Sequence, residues 1–332
     1  MTATLRPDGL PQPANAFEAA VVDLVVDLFE AYPTWGTSAG YHRVDGRWPD
    51  LSESGRLGRV ANLRSHAEVL EGFDQANLTP DEAIDRRILL EQIDKVIFSE
   101  DVLRTEAWDP LEIVYLLGGG LFDLLSREFA PWASRGASLL SRIEDLPQLL
   151  AAALEGLTGL PGRPVGLLQL DTALAQLEGV TQLVDSAESE ARHRAEAGEG
   201  RELAEPMTQA AAAAREAIGV FRTGLDTEVR ARASGEGRLG RELFAQKLRY
   251  TLGSELTPEE VRERAWADYH AVRAEMLRVA REVWPSWIPD EPLPEVAEGD
   301  TAAESALVGR VLDAIGAVHQ QPDGLLDYCR AE

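Results

Sequence analysis

One helix-start signal is written twice in this chain, and it constrains the fold more than any other feature. Leu78-Thr79-Pro80-Asp81-Glu82 and Leu256-Thr257-Pro258-Glu259-Glu260 each set a proline after a threonine and a glutamate three residues after it. The threonine caps the helix, the proline loses no bond at the first helical position, and the glutamate closes a capping box. Behind the first start, Ile84, Ile88, Leu89, Ile93, Val96, Ile97 and Leu103 fall at helical spacing. Behind the second, Val261, Ala265, Tyr269, Val272, Met276, Val279 and Val283 do the same. The second stripe is expected to be buried, and its helix is expected to stop before Pro285.

The same period continues elsewhere. Val21, Val25, Leu28 and Tyr32 share a face, as do Leu57, Val60, Leu63, Ala67 and Leu70. Shorter helical patterns cover 111–129, 131–143 and 146–157, separated by glycines 118–120, Pro131 and Pro147. Leu170, Leu174, Leu177 and Val184 mark a longer helix, and alanine-rich 203–234 another, with a kink expected at Pro206. Residues 195–202, AEAGEGRE, read as a turn between two long antiparallel helices, and 159–164, GLPGRP, as a loop. No period-two run argues for strands, and two LTP starts are too few for a repeat. The expected fold is all-α, a multi-helix array of long antiparallel helices with room for one small β-hairpin. The expected organisation is a helical domain over 1–284, a proline-rich acidic linker over 285–300, and a helical segment over 301–332.

Charge excludes some partners. The chain has 57 acidic and 32 basic residues, a net −25. That balance repels phosphate backbones, so neither nucleic acid nor an anionic membrane surface is expected as a partner. The N-terminus has no apolar signal core, and Asp23 and Asp27 interrupt the most apolar segment, well short of the ~18 residues of a membrane span. A single cysteine, Cys329, allows no internal disulfide. The expected compartment is the cytoplasm.

Three motifs suggest chemistry but lack its context. Gly36-Thr37-Ser38-Ala39-Gly40 matches the GxSxG nucleophile elbow, which needs a strand-to-helix turn over a parallel sheet; here a helix precedes it. Gly235-Glu236-Gly237-Arg238-Leu239-Gly240 matches GxGxxG, again without a preceding strand, and reads as a helix stop with a linker. Glu190 and His193 have the spacing of a di-iron pair, but no other histidine follows a glutamate by three residues. The stretch 33–50, PTWGTSAGYHRVDGRWPD, is the densest cluster of aromatic and ionisable side chains. Such groups on a loop either bind a ligand or pin the loop to helices, and the burial preference of aromatics favours pinning. If the loop faces a substrate, Trp35, Tyr41, His42, Arg43 and Asp45 are the candidate residues.

Taken in order, AYPTWGTSAGYHRVDGRWPDLSES, LTPDEAIDRRILLEQID and GRLGRELFAQKLRYTLGSELTPEEVRERAWADYHAVRAEMLRVARE resemble the N-terminal part of the bacterial domain-of-unknown-function 885 family. The resemblance spans nearly all of this chain and about the first half of a typical member. It implies a mostly helical, zincin-type metallopeptidase-like protein whose His-Glu-x-x-Pro-Gly-His metal motif lies in the C-terminal half. Zinc catalysis uses neutral imidazoles to hold the ion and a carboxylate to take the water's proton. Here His42, His66, His193, His270 and His319 are followed by Arg, Ala, Arg, Ala and Gln, and Pro161-Gly162 by Arg163. No catalytic or metal residue carries over; zinc is expected only for a full-length member.

Two readings follow. In the first, the chain is the N-terminal helical half of a zinc-dependent peptidase-like protein, inactive alone. Its partners would be a complementary C-terminal half and, when complete, a peptide substrate. In the second, it is a stand-alone helical binding or scaffold protein whose acidic surface favours cationic partners. A serine hydrolase using Ser38 ranks below both.

Overall fold

A computed structural model describes residues 9–234, 237–297 and 299–331. Among them the fold is all-α. No strand forms among the described residues; in place of a hairpin the GLPGRP turn carries an antiparallel bridge, Leu160 with Arg163. The chain packs as two units, Met1–Gln246 and Lys247–Glu332, whereas the sequence pattern drew its boundary at 284/285.

In the first unit, α1 (Ala16–Ala31) is followed after one residue by α2 (Pro33–Ala39), then α3 (Glu53–Glu71) and α4 (Pro80–Ile97). The capping box is present at α4: Thr79 Oγ1 accepts from the Glu82 amide and Glu82 accepts from the Thr79 amide at 2.7 Å. Phe17, Leu24, Leu63, Leu70 and Ile93 form the core shared by α1, α3 and α4. Pro33 does end α1, but it also opens α2, so 33–39 is helical rather than loop.

The larger core is built by α5 (Pro110–Ser126), α6 (Trp132–Glu144), α7 (Leu146–Gly156), α8 (Leu167–Ala197) and α9 (Ala204–Gly224). Leu117, Leu121 and Leu124 of α5 are fully buried, as are Leu170, Leu177 and Val184 of α8. Glycines 118–120 do not interrupt α5; Gly120 admits Trp48, whose ring would lie 2.4 Å from a Cβ there. The 195–202 turn reverses the chain between α8 and α9 through left-handed Gly198 and Gly200. Pro206 occupies the first turn of α9, where its missing N–H costs no helical bond, so the expected kink has no cause. A π-helical turn, Leu225–Val229, leads into the single turn α10 (Arg230–Arg232). The first two residues of the GxGxxG string lie outside the described residues; α11 (Gly240–Leu252) starts at its last glycine.

The second unit pairs α12 (Pro258–Trp287) with α13 (Thr301–Gly316), followed by α14 (Leu325–Ala331). Leu277, Ala280, Trp284, Ile288, Leu307 and Val311 make its small core. Two expectations fail here. The helix runs through Pro285 to Trp287: Trp284 is buried and donates its indole N–H to Glu291 O at 3.0 Å, which holds this end in place. The periodic stripe is also not buried. Tyr269, Val272, Met276 and Val279 are 39–57% exposed, because α13 packs against a different line of the helix.

Arg142 of α6 ties the first unit together. It is fully buried and donates to Thr37 Oγ1 at 2.7 Å, to Arg47 O at 3.2 Å and to Gly120 O. Its guanidinium lies 5.3 Å from the Trp48 ring, and the Trp48 indole donates back to Arg142 O at 2.8 Å. Burial pulls its pKa down to about 10, with Asp45 and Asp123 opposing, so it stays charged at neutral pH. Arg142→Met keeps most of the volume but leaves buried acceptors unpaired. It should cost about 3 kcal/mol of stability, read as a lowered urea midpoint; an unchanged midpoint would contradict this role.

Candidate functional site

A cleft of about 490 Å³ opens in the first unit. Tyr32 and Trp35 come to it from the α1–α2 junction, Arg56 and Arg59 from α3, and Ile113 and Leu116 from α5. Its floor is the segment after α4. There the chain leaves α-helical geometry for a π-helical turn, Phe98–Leu103, and then places Arg104 in the left-handed region at φ 47°, ψ 51°. Arg104 is the one non-glycine residue with positive φ among those described. A non-glycine residue there costs about 1 kcal/mol or more and persists only when its surroundings enforce it. They do so here: the Arg104 amide bonds Ser99 O at 2.8 Å, and the Trp108 indole donates to Leu103 O at 2.8 Å.

Charged groups pair densely across this floor. Arg59 donates twice to Glu100, at 3.0 and 2.9 Å, and Tyr32 donates its hydroxyl to the same carboxylate at 2.5 Å. Burial raises the Tyr32 pKa, and the Glu100 carboxylate adds to the effect. Arg56 holds Glu53 with two bonds, at 2.8 and 2.9 Å, and Asp101 at 2.7 Å. Its hydrogen bonds keep the Glu53 carboxyl below the ordinary range. Arg104 adds a bond to Glu53 at 3.0 Å.

Glu106 is the exception. Its Oε1 is buried without a hydrogen bond, and the Arg104 Nε, also unpartnered, stands 3.8 Å away. Burial pushes the Glu106 carboxyl above the usual glutamate range; a hydrogen bond from its own backbone amide opposes this, Glu100 adds to it, and Arg104 and Arg56 oppose it more weakly. A perturbed carboxyl beside a strained backbone in a cleft is the pattern of a functional site.

Of the five residues that the sequence nominated, the cleft takes one. Trp35 is half exposed on its rim, stacked on Tyr32 at 4.5 Å between ring centres. Tyr41 is buried against Phe29, with ring centres 5.3 Å apart. His42 stacks on Phe129 at 3.8 Å and bonds Asp45 at 3.0 Å; Asp45 is buried and Arg43 is exposed. Those four line no part of this cleft. Sequence reasoning missed Arg59, Glu100, Arg104 and Glu106. The segment that carries three of them, Glu100-Asp101-Val102-Leu103-Arg104-Thr105-Glu106, has alternating charge as its only signal.

A zinc site does not fit this arrangement. No group of three or more His, Cys, Asp or Glu among the described residues is placed to hold a metal ion, and two of the cleft's carboxylates, Glu53 and Glu100, are committed to arginines. Glu190 of the di-iron spacing is bound to Arg194 at 2.7 Å, and His193 is exposed. Ser38 lies inside α2, not on a strand-to-helix elbow.

Fold and cleft together define an all-α protein that holds a mixed-charge pocket in its larger helical unit. The family described as "Bacterial protein of unknown function (DUF885)" matches residues 33–320, and the chain belongs to it. A solved structure from Shewanella oneidensis, described as "a putative lipoprotein of unknown function", matches 96% of this chain with a TM-score of 0.75 at 22% identity. The match covers 56% of that protein, so this chain spans little more than half its length. No curated protein matches the chain. No helix among the described residues is long and apolar enough to cross a membrane.

Glu106→Gln should be more resistant to urea than the parent at pH 7. A carboxyl whose pKa is higher folded than unfolded costs stability as pH rises from the ordinary glutamate range through its folded value. Below that range both forms are neutral and the difference should vanish. A pH-independent difference, or a less stable variant at pH 7, would contradict the assignment.

Proposed function

We propose that this chain is the helical, substrate-shaping part of a peptidase-like protein, with the cleft facing substrate and the hydrolytic chemistry carried by other polypeptide. The observation that carries this reading is an open apolar groove between α12 and α13. Val272, Met276, Val279, Leu312 and Ile315 line it with little polar surface among them, and all five are exposed. Contiguous exposed apolar surface of this kind marks an interaction site, since each Å² left in water forgoes about 25 cal/mol. The occupant favoured is polypeptide equivalent to the part of the Shewanella protein that this chain does not cover. The resemblance to zincin-type proteins supports the peptidase class. The residues described supply no metal site, so no step of hydrolysis is assigned to them. The free, exposed Cys329 suits the reducing cytoplasm as its compartment.

The alternative is a stand-alone binding or scaffold protein. The enclosure of the whole cleft within the first unit favours it, because ligand binding would then need nothing from outside.

Light scattering behind size exclusion separates the two. On the first reading the purified chain should self-associate reversibly and bind an apolar dye. The double variant Met276→Glu/Leu312→Glu should be monomeric, with dye binding reduced severalfold. A parent chain that is monomeric and dye-free at all concentrations would favour the stand-alone reading.

A further inference from the structure

We propose that the cleft binds a cationic peptide side chain, lysine or arginine, with Glu106 as its counter-ion and Trp35 as the apolar surface beside it. The proposal rests on the cleft being the ligand-facing wall, and not on what covers the α12–α13 groove.

The charge balance of the pocket carries the argument. Each of its three guanidinium groups already holds a carboxylate, Arg56 with Glu53 and Asp101, Arg59 with Glu100, and Arg104 with Glu53, and Arg104 Nε, left without a hydrogen bond, is buried. An anionic ligand would therefore have to displace a carboxylate already in place. Glu106 is in the opposite position. Its Oε1 is closed inside the protein without a hydrogen bond, Arg104 Nε pairs with it only at 3.8 Å, and about a third of the side chain is left exposed. A cation arriving at the part of the side chain left open would add charge-assisted bonds, the stronger kind, to a carboxylate that its neighbours hold only loosely.

The rest of the lining suits the stem of such a group. Leu51, Ile113 and Leu116 offer aliphatic surface to a methylene chain. Tyr32 is covered by Trp35 and by the Arg59 guanidinium 5.5 Å from its ring centre, so it is the half-exposed Trp35 that offers a ring at the rim, where a cation is attracted to the quadrupole. About 490 Å³ accommodates one or two residues, not a folded partner. The net −25 of the chain draws cations toward it from solution.

The test is calorimetric titration of the full chain with the amidated tripeptide Lys-Ala-Lys, and with the same peptide acetylated on all its amines. The free peptide should bind at one site per chain and the acetylated one should not. Glu106→Gln should weaken binding about tenfold, the scale of one charge-assisted hydrogen bond, and Trp35→Ala severalfold. Arg281→Ala, in the other unit, should leave it unchanged. Circular dichroism confirms that each variant is folded. Equal binding of both peptides, no binding of either, or full affinity in Glu106→Gln would overturn the proposal; the last would mean that only diffuse charge attracts the peptide. Failure here while the α12–α13 groove behaves as expected removes the ligand class alone. The converse result leaves the cleft assignment in place.

Discussion

A fully buried arginine holds the architecture of the first unit. Arg142 reaches out of α6 to a hydroxyl in α2, a carbonyl in the turn after it and a carbonyl in α5. A guanidinium in a protein interior is tolerated only when its donors find partners. Here those partners belong to separate stretches of chain, so satisfying one side chain fixes their mutual position. Trp48 closes over the cation, and Gly120 leaves the space for its ring. The α1–α2 junction, which carries Tyr32 and Trp35 to the cleft, is thereby built from below.

The floor of the cleft is held differently. The π-helical turn after α4 and the left-handed Arg104 are locally unfavourable, and an ion-pair network spanning α3 and the 98–107 segment offsets them. Exposed ion pairs contribute little, but Arg59 and Glu100 are nearly buried, each about 11–12% exposed, and bonded twice. What the network leaves over is a carboxyl, Glu106, in a place where its charge is costly. Binding sites commonly spend stability in this way, since a group optimally satisfied in the free protein has nothing to offer a ligand.

Much of the fold was legible because its signals are local. Thr79 and Thr257 announce their helices within four residues, and both capping boxes form as read. The 195–202 reversal rests on glycines that can adopt left-handed geometry. The pinning role read for 33–50 matches the burial of Tyr41 and Asp45 and the grip of Arg142 on this stretch. Periodicity failed at α12, where it correctly put Tyr269, Val272, Met276 and Val279 on one face but carried no information about what packs there. The cleft was the least legible part. Arg56 and Asp101 are 45 residues apart, and neither a π-helical turn nor a left-handed arginine has a compositional signature.

The bonds of Arg142 and the ion pairs of Arg56 and Arg59 should make the cleft a preformed part of the helical scaffold rather than a loop that orders on binding. Native-state hydrogen exchange, read by mass spectrometry on peptides covering 41–50 and 98–107, tests it most directly. Those segments should contain amides that exchange as slowly as those of α5 and α8, opening only with the unit as a whole. Exchange within seconds, as in an unpinned loop, would contradict the account.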